Sequence, residues 1–302
     1  MIEDNWKYEV LKEETALLES GSSIYLGVVN DSLGLEFHKK MPKGAALREL
    51  EKSHLHLSYW DTPYYKEAIE KFLLKVDKEK TVIADIGCGD GRFTDLLLRL
   101  GFNKIIATDI DIKPLLSLEA HLRETGDLDK VLLINSGVEC LPLKNNICNA
   151  ALAISVLYYL NENYQKGLAE INRILNKDSI FINSEPNLEG ALYRSLFFET
   201  LSDVFENYFE ELFKEEKGDT PFKFRLFAEN EIIKILGDNG FEVEDSHGIS
   251  LFQSIVRIMM VREKLKEEDL TKNEGKIREI MNFLNESGKL YRNIIWQSRK
   301  IN

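Results

Sequence analysis

The stretch Asp85-Ile86-Gly87-Cys88-Gly89-Asp90-Gly91 decides the reading of this chain, because it joins two segments of different character. Before it, Thr81-Val82-Ile83-Ala84-Asp85 is a short apolar run that reads as a buried strand; after it, Phe93 to Leu100 reads as a helix stopped by Gly101. A backbone that turns sharply from strand into helix while passing close to a ligand needs positions without Cβ atoms, and the glycines supply them. The spacing is G-x-G-x-G. A dinucleotide fingerprint would require its third glycine at position 92, where the chain has Arg92. Acidic Asp85 and Asp90 are awkward beside a pyrophosphate but suit a ligand carrying a sulfonium and an ammonium group.

The alternation continues on both sides of this unit. Lys104 to Asp109 supplies a second strand, Lys113 to Glu124 a helix and Val131 to Ile134 a third strand. Ala150 to Val156, the helix Tyr164 to Leu175 and the strand Ser179 to Asn183 follow. A helix from Glu229 to Leu236 and strands at Phe241 to Glu244 and Ser254 to Val261 close the series. Near-continuous apolar strands alternating with helices imply an α/β fold with a mostly parallel sheet covered on both faces, and in such sheets ligands sit beyond the carboxyl ends of the strands.

Three regions fall outside the regular units. Residues 1–65 are expected to be a helical cap, with a polar helix over 1–22 and short strands around Asn30-Asp31-Ser32. Residues 187–227 form an aromatic-rich insertion carrying Tyr193, Phe197, Phe198, Phe205, Tyr208, Phe209 and Phe213, expected to be helical and to serve as a lid or a homodimer interface. Residues 262–302 read as a charged helical tail broken near Asn273-Glu274-Gly275 and Gly288, packing back through Ile277, Ile280, Met281, Leu284 and Ile295. The regular α/β core then spans 66–186 and 228–261.

Bulk properties narrow the class. The 302 residues are 44% hydrophobic and 30% charged, which is ordinary for a globular chain, and the formal net charge of -12 disfavours broad contact with a nucleic-acid backbone. No run is long and apolar enough to span a bilayer, and the acidic start Met1-Ile2-Glu3-Asp4 is unlike a signal peptide, so a cytoplasmic protein is expected. Cys88, Cys140 and Cys148 match neither a zinc knuckle nor a disulfide framework.

Val82 to Leu100, followed by Ala107-Thr108-Asp109-Ile110, resembles the first two motifs of the class I S-adenosylmethionine (SAM)-dependent methyltransferases. Glu139-Cys140-Leu141-Pro142-Leu143 and Val156-Leu157-Tyr158-Tyr159-Leu160 resemble the segments around that family's fourth strand. The resemblance implies a Rossmann-like, mostly parallel seven-stranded sheet and SAM as cofactor. It places Gly87, Cys88, Gly89 and Gly91 along the methionine moiety, with Asp85 organising the loop and its ammonium end. Asp109, with Ile110 beside it, falls at the ribose diol. The third motif departs from the pattern: Gly137 stands where many relatives have an Asp for the adenine amino group, leaving Val138 or Glu139 to flank the adenine.

Methyl transfer is an in-line displacement from an activated donor and needs neither metal nor covalent nucleophile, so the protein must chiefly position the acceptor and exclude water. A hydroxyl acceptor would use a general base. His247, in Asp245-Ser246-His247-Gly248, is the first candidate, and His54 and His56 are rivals; the latter two share a face if they lie on a strand, a geometry that also fits a metal pair, although a third ligand is missing. Glu185, in Asn183-Ser184-Glu185-Pro186-Asn187, either orients the acceptor or acts as base, or else caps a helix after Pro186. Arg225 either binds an anionic acceptor group or lies on the surface. A small-molecule acceptor is the leading expectation; a protein or RNA acceptor, or a non-enzymatic scaffold, are the alternatives.

Overall fold

The computed structural model describes residues 6–19, 21–29, 52–192, 212–217, 220–250, 266–287 and 291–301. Five parallel strands carry the centre: β3 (Ile83–Ile86), β4 (Ile105–Asp109), β5 (Val131–Asn135), β6 (Cys148–Ile154) and β7 (Leu175–Pro186). Their side chains are almost all buried, as apolar runs covered on both faces must be. On one face lie α2 (Leu57–Phe72), α3 (Arg92–Arg99) and α4 (Ile112–Thr125), contributing Trp60, Ile69, Phe93, Leu97, Leu115 and Leu118 to the core. The other face is covered by α1 (Trp6–Val10), α5 (Tyr164–Ile174) and α6 (Glu229–Asp238), through Trp6, Val10, Leu168, Ile171, Ile232 and Leu236.

The sheet is wider than the seven strands expected. It has nine, which also include β1 (Ala16–Leu17), β2 (Ile24–Leu26), β10 (Phe241–Ser250) and β11 (Tyr291–Lys300), in the order β1-β2-β5-β4-β3-β6-β7-β11-β10. β2 adds in parallel to β5 and antiparallel to β1, whereas β11 runs antiparallel between β7 and β10. The order of the central strands reverses at β3, where β4 lies on one side and β6 on the other, so the glycine loop opens into the crevice of a topological switch point.

The C-terminal tail is the main correction. Its helix α7 (Glu267–Ser287) runs through Gly275 without a break, and Tyr291–Lys300 is a core strand. Ile294 and Trp296 enter one core face and Ile295 the other, so a strand buried on both faces presents no simple alternation. The end of β11 is fixed by Lys300, whose buried Nζ donates to the carbonyl oxygens of Leu175 (2.7 Å) and Asn172 (2.8 Å). The expected strand over Ser254 to Val261 lies outside the described residues.

The cap and insertion differ as well. Among the described residues of the expected N-terminal helix, Trp6–Val10 alone is helical, and α2 begins at Leu57, inside the region expected to be cap. In the insertion, residues 188–192 are helical, but β8 (Leu212–Lys217) and β9 (Thr220–Arg225) form an antiparallel hairpin. The aromatic residues from Tyr193 to Phe209 lie outside the described residues. Among the described residues, no helix is long and apolar enough to cross a membrane.

Candidate cofactor and acceptor site

The loop after β3 is built from left-handed glycines. Gly87, Gly89 and Gly91 have φ of 67°, 56° and 91°, and the Cys88 backbone N–H donates to the Thr108 carbonyl at 2.9 Å, tying the loop to β4. A Cβ at Gly87 would lie 2.4 Å from Val156 Cγ2, and one at Gly91 would lie 2.4 Å from Leu118 Cδ1. Those two glycines let the loop pack against protein. Gly89 is different: among the described residues a Cβ there would meet no heavy atom within 4 Å, so its backbone borders open space.

Asp85 lies beneath the loop rather than on its rim. Its buried carboxylate accepts from Thr94 Oγ1 at 2.6 Å, and burial raises its pKa to about 6 against the opposing pull of that hydrogen bond. Burial also pushes the Cys88 thiol well above its usual range, which keeps it neutral.

Asp109 ends β4 and joins it to the loop. One carboxylate oxygen accepts from the Gly89 N–H (2.9 Å) and the other from the Asp111 N–H (2.8 Å). Asn135, which the sequence reading passed over, holds the same turn from below: its amide donates to the carbonyls of Asp109 and Ile110, each at 3.0 Å. Its signal was available as a polar residue ending the apolar run Val131 to Ile134.

The segment after β5 brings Glu139 beside Gly137. A Cβ at Gly137 would lie 2.9 Å from Glu139 Oε2 and 3.9 Å from Ile110 Cδ1, so the Glu139 carboxylate folds back over Gly137 beside Ile110. Val138 instead turns into the core, its Cγ1 being 3.5 Å from where a Gly167 Cβ would stand.

The acceptor candidates separate. Glu185 is wholly buried inside β7 and accepts from Tyr164 Oη at 3.0 Å, while its Oε2 has no hydrogen-bond partner among the described residues. Burial raises its pKa to about 8, so the free protein holds it protonated at neutral pH. It does not cap the helix over 188–192, where Asn187 Oδ1 accepts from the Gly190 N–H at 2.8 Å.

His247 lies within β10 rather than in a loop, four strands from β3 in the sheet order, or roughly 19 Å at ordinary strand spacing. Burial lowers its pKa, and the nearby charges are Glu67, Lys71 and Asp245. The structure does not bring it to the glycine loop. His54 and His56 precede a helix and share no strand face: His56 Nδ1 accepts from the Ser58 N–H at 3.2 Å, and His54 Nε2 contacts Glu274 Oε2 of α7 at 3.1 Å. Arg225 pairs with Glu231 and stacks over Phe227.

Residues 84–183 match the sequence profile of a methyltransferase domain, and they contain β4 to β6 together with nearly all of β3 and β7, including the whole glycine loop. That segment is a methyltransferase domain. SAM is its cofactor. The methyltransferase is 26% identical over 204 residues to uncharacterized protein MJ1252 of Methanocaldococcus jannaschii, a match spanning 63% of this chain and 73% of that one. It is 29% identical over 113 residues to ribosomal protein L11 methyltransferase of Thermotoga maritima, covering 37% of this chain and 40% of that relative. In fold it is similar to the 1,6-didemethyltoxoflavin-N1-methyltransferase of Burkholderia thailandensis, with a TM-score of 0.52 and 16% identity across 96% of this chain and 100% of that one.

Proposed function

We propose that this methyltransferase transfers the methyl group of SAM to a small molecule received at the carboxyl ends of β6 and β7. The observation that carries the acceptor class is the way the insertion is rooted. Its two ends are stitched together beside Glu185: the Leu188 N–H donates to the Phe227 carbonyl at 3.0 Å and the Phe227 N–H to the Pro186 carbonyl at 3.1 Å. Leu188, Ala191, Leu192, Leu226 and Ala228 then pack with Tyr158 and Tyr159 as a separate apolar cluster at that edge. An apolar cover at the reactive edge suits a compact acceptor sequestered from water.

In this reading the open face of Gly89 receives the methionine arm, with Gly87, Cys88 and Gly91 shaping the loop beneath it and Asp85 setting its charge. Asp109 turns its carboxylate to the ribose hydroxyls, Ile110 lies under the adenosine, and Glu139 supplies the carboxylate that Gly137 lacks. When bound, the cofactor supplies an activated methyl, and the electron pair of the broken C–S bond stays on sulfur. The protein's part is to align the acceptor lone pair behind that methyl carbon.

Two alanine substitutions should separate packing glycines from the ligand-facing one. Both force a left-handed φ on a residue with a Cβ, at about 1 kcal/mol each. Gly87→Ala adds a collision with Val156 and should lower the melting temperature more. Gly89→Ala should cost less stability but weaken binding of S-adenosylhomocysteine at least tenfold, or about 1.4 kcal/mol. Equal affinity for wild type and Gly89→Ala in calorimetric titration would remove Gly89 from the cofactor contact.

The acceptor class is tested by incubating the enzyme with methyl-tritiated SAM and a cell extract separated by size. Label should accumulate in the small-molecule fraction. Label retained in protease-sensitive or ribonuclease-sensitive material overturns the small-acceptor reading and favours a macromolecular substrate.

A further inference from the structure

Directly after β6 the chain does something unusual. Ser155 adopts φ of 59°, a left-handed conformation that a residue with a Cβ rarely occupies, and such positions persist where surrounding contacts over-determine them. Here the Ser155 N–H donates to the Ser184 carbonyl at 3.2 Å, and the next residue, Val156, packs against Gly87. The strain therefore fixes Ser155 between the glycine loop and the end of β7.

Its surroundings come from three distant parts of the chain. Asn293 of β11 donates through Nδ2 to Tyr65 Oη at 2.7 Å and, more weakly, to Ser155 Oγ at 3.5 Å. Ser184 Oγ donates to the same Tyr65 oxygen at 3.2 Å. Tyr65 and Ser184 are buried, whereas Ser155 and Asn293 are partly exposed. The exposed members are thus held by buried ones. These hydrogen bonds link hydroxyl and amide groups only, and the long contact to Ser155 Oγ is one that a closer partner can replace.

We propose that Ser155 and Asn293, with Tyr65 as positioning residue, form the polar contact for the methyl acceptor and select an uncharged oxygen or nitrogen nucleophile over a carboxylate or an ammonium group. Four features support this. The set stands beside the loop that holds the donor, on the carboxyl edge, it presents both a hydroxyl and an amide, and it offers no full charge to pair with an ion. Glu185 lies on the opposite face of β7 from Ser184, so the set is distinct from the buried Glu185–Tyr164 pair. The inference rests on the small-acceptor reading above.

The test uses the full chain saturated with S-adenosylhomocysteine and four probes of similar shape: phenol and benzamide as neutral compounds, benzoate and benzylammonium as charged ones. Binding is followed by protein-observed NMR. Phenol and benzamide should bind the wild-type complex more tightly than the two ions. Asn293→Leu and Ser155→Gly should weaken benzamide about three- to tenfold, the loss of one or two neutral hydrogen bonds, with affinity for S-adenosylhomocysteine within about twofold of wild type. Ser155→Gly also relieves the strained φ, so it should melt at or above the wild-type temperature, which separates lost recognition from lost folding. Preferential binding of either ion, unchanged benzamide affinity in both variants, or an equal loss of S-adenosylhomocysteine affinity would each overturn the proposal. Failure of every probe to bind the wild-type complex overturns it too; the size-separated methyl label decides the small-acceptor reading independently.

Discussion

Replacing Glu185 by glutamine should stabilise the free protein, by a margin that grows with pH up to about 8. The folded-state pKa is raised to about 8 by burial, above the ordinary value of 4.5. Below about pH 4.5 the carboxyl is protonated in both states and contributes no difference. Between 4.5 and 8 the unfolded chain releases the proton while the folded chain keeps it, so folding loses up to about 1.4 kcal/mol per pH unit. Above 8 the group is ionised in both states and the penalty is constant. Glutamine is neutral throughout and can still accept from Tyr164, and its amide can approach Asn183 Oδ1, which has no partner among the described residues. A gain of about 2 kcal/mol at pH 7 is expected after allowing for imperfect pairing of the new amide. Denaturant midpoints of both proteins at pH 5, 7 and 8.5 test this, and a difference that does not vary with pH would contradict it. The same variant examines catalysis: a better-folded enzyme with undiminished methyl transfer would exclude Glu185 as base.

Asp109→Ala is the second substitution with a large expected effect. The carboxylate accepts from the N–H groups of Gly89 and Asp111 and so fixes the glycine loop against the end of β4. Its removal should weaken S-adenosylhomocysteine binding by about 1–3 kcal/mol, through lost charged hydrogen bonds and a looser loop. The fold should survive, because β4 is held by β3 and β5 on either side. Asp109→Asn, which retains one acceptor oxygen, should fall between wild type and alanine. An unchanged dissociation constant with an unchanged circular dichroism spectrum would reduce Asp109 to a turn residue.

The amino-acid sequence alone determined the strands and the glycine turn at the centre of this protein, because that part is written in local code. Apolar runs named β3, β4, β5 and β6, the glycine spacing named the turn between β3 and α3, and Asp109 fell at the end of a strand where the fold presents a carboxylate. What only the tertiary structure decided depends on residues far apart in the chain. Tyr291 to Lys300 reads as a helical tail when taken by itself, and it becomes a strand because β7 and β10 leave a gap whose backbone groups it satisfies on both sides. The same insertion carries Asn293 to within reach of Tyr65 and Ser155, more than a hundred residues away in each case. Asn135 and Glu139 likewise meet their neighbours only once the turns after β4 and β5 lie side by side. Local periodicity reports which face of an element is apolar, but not which partner will cover it. That choice is made by the collective requirement to pair buried backbone groups and close the core.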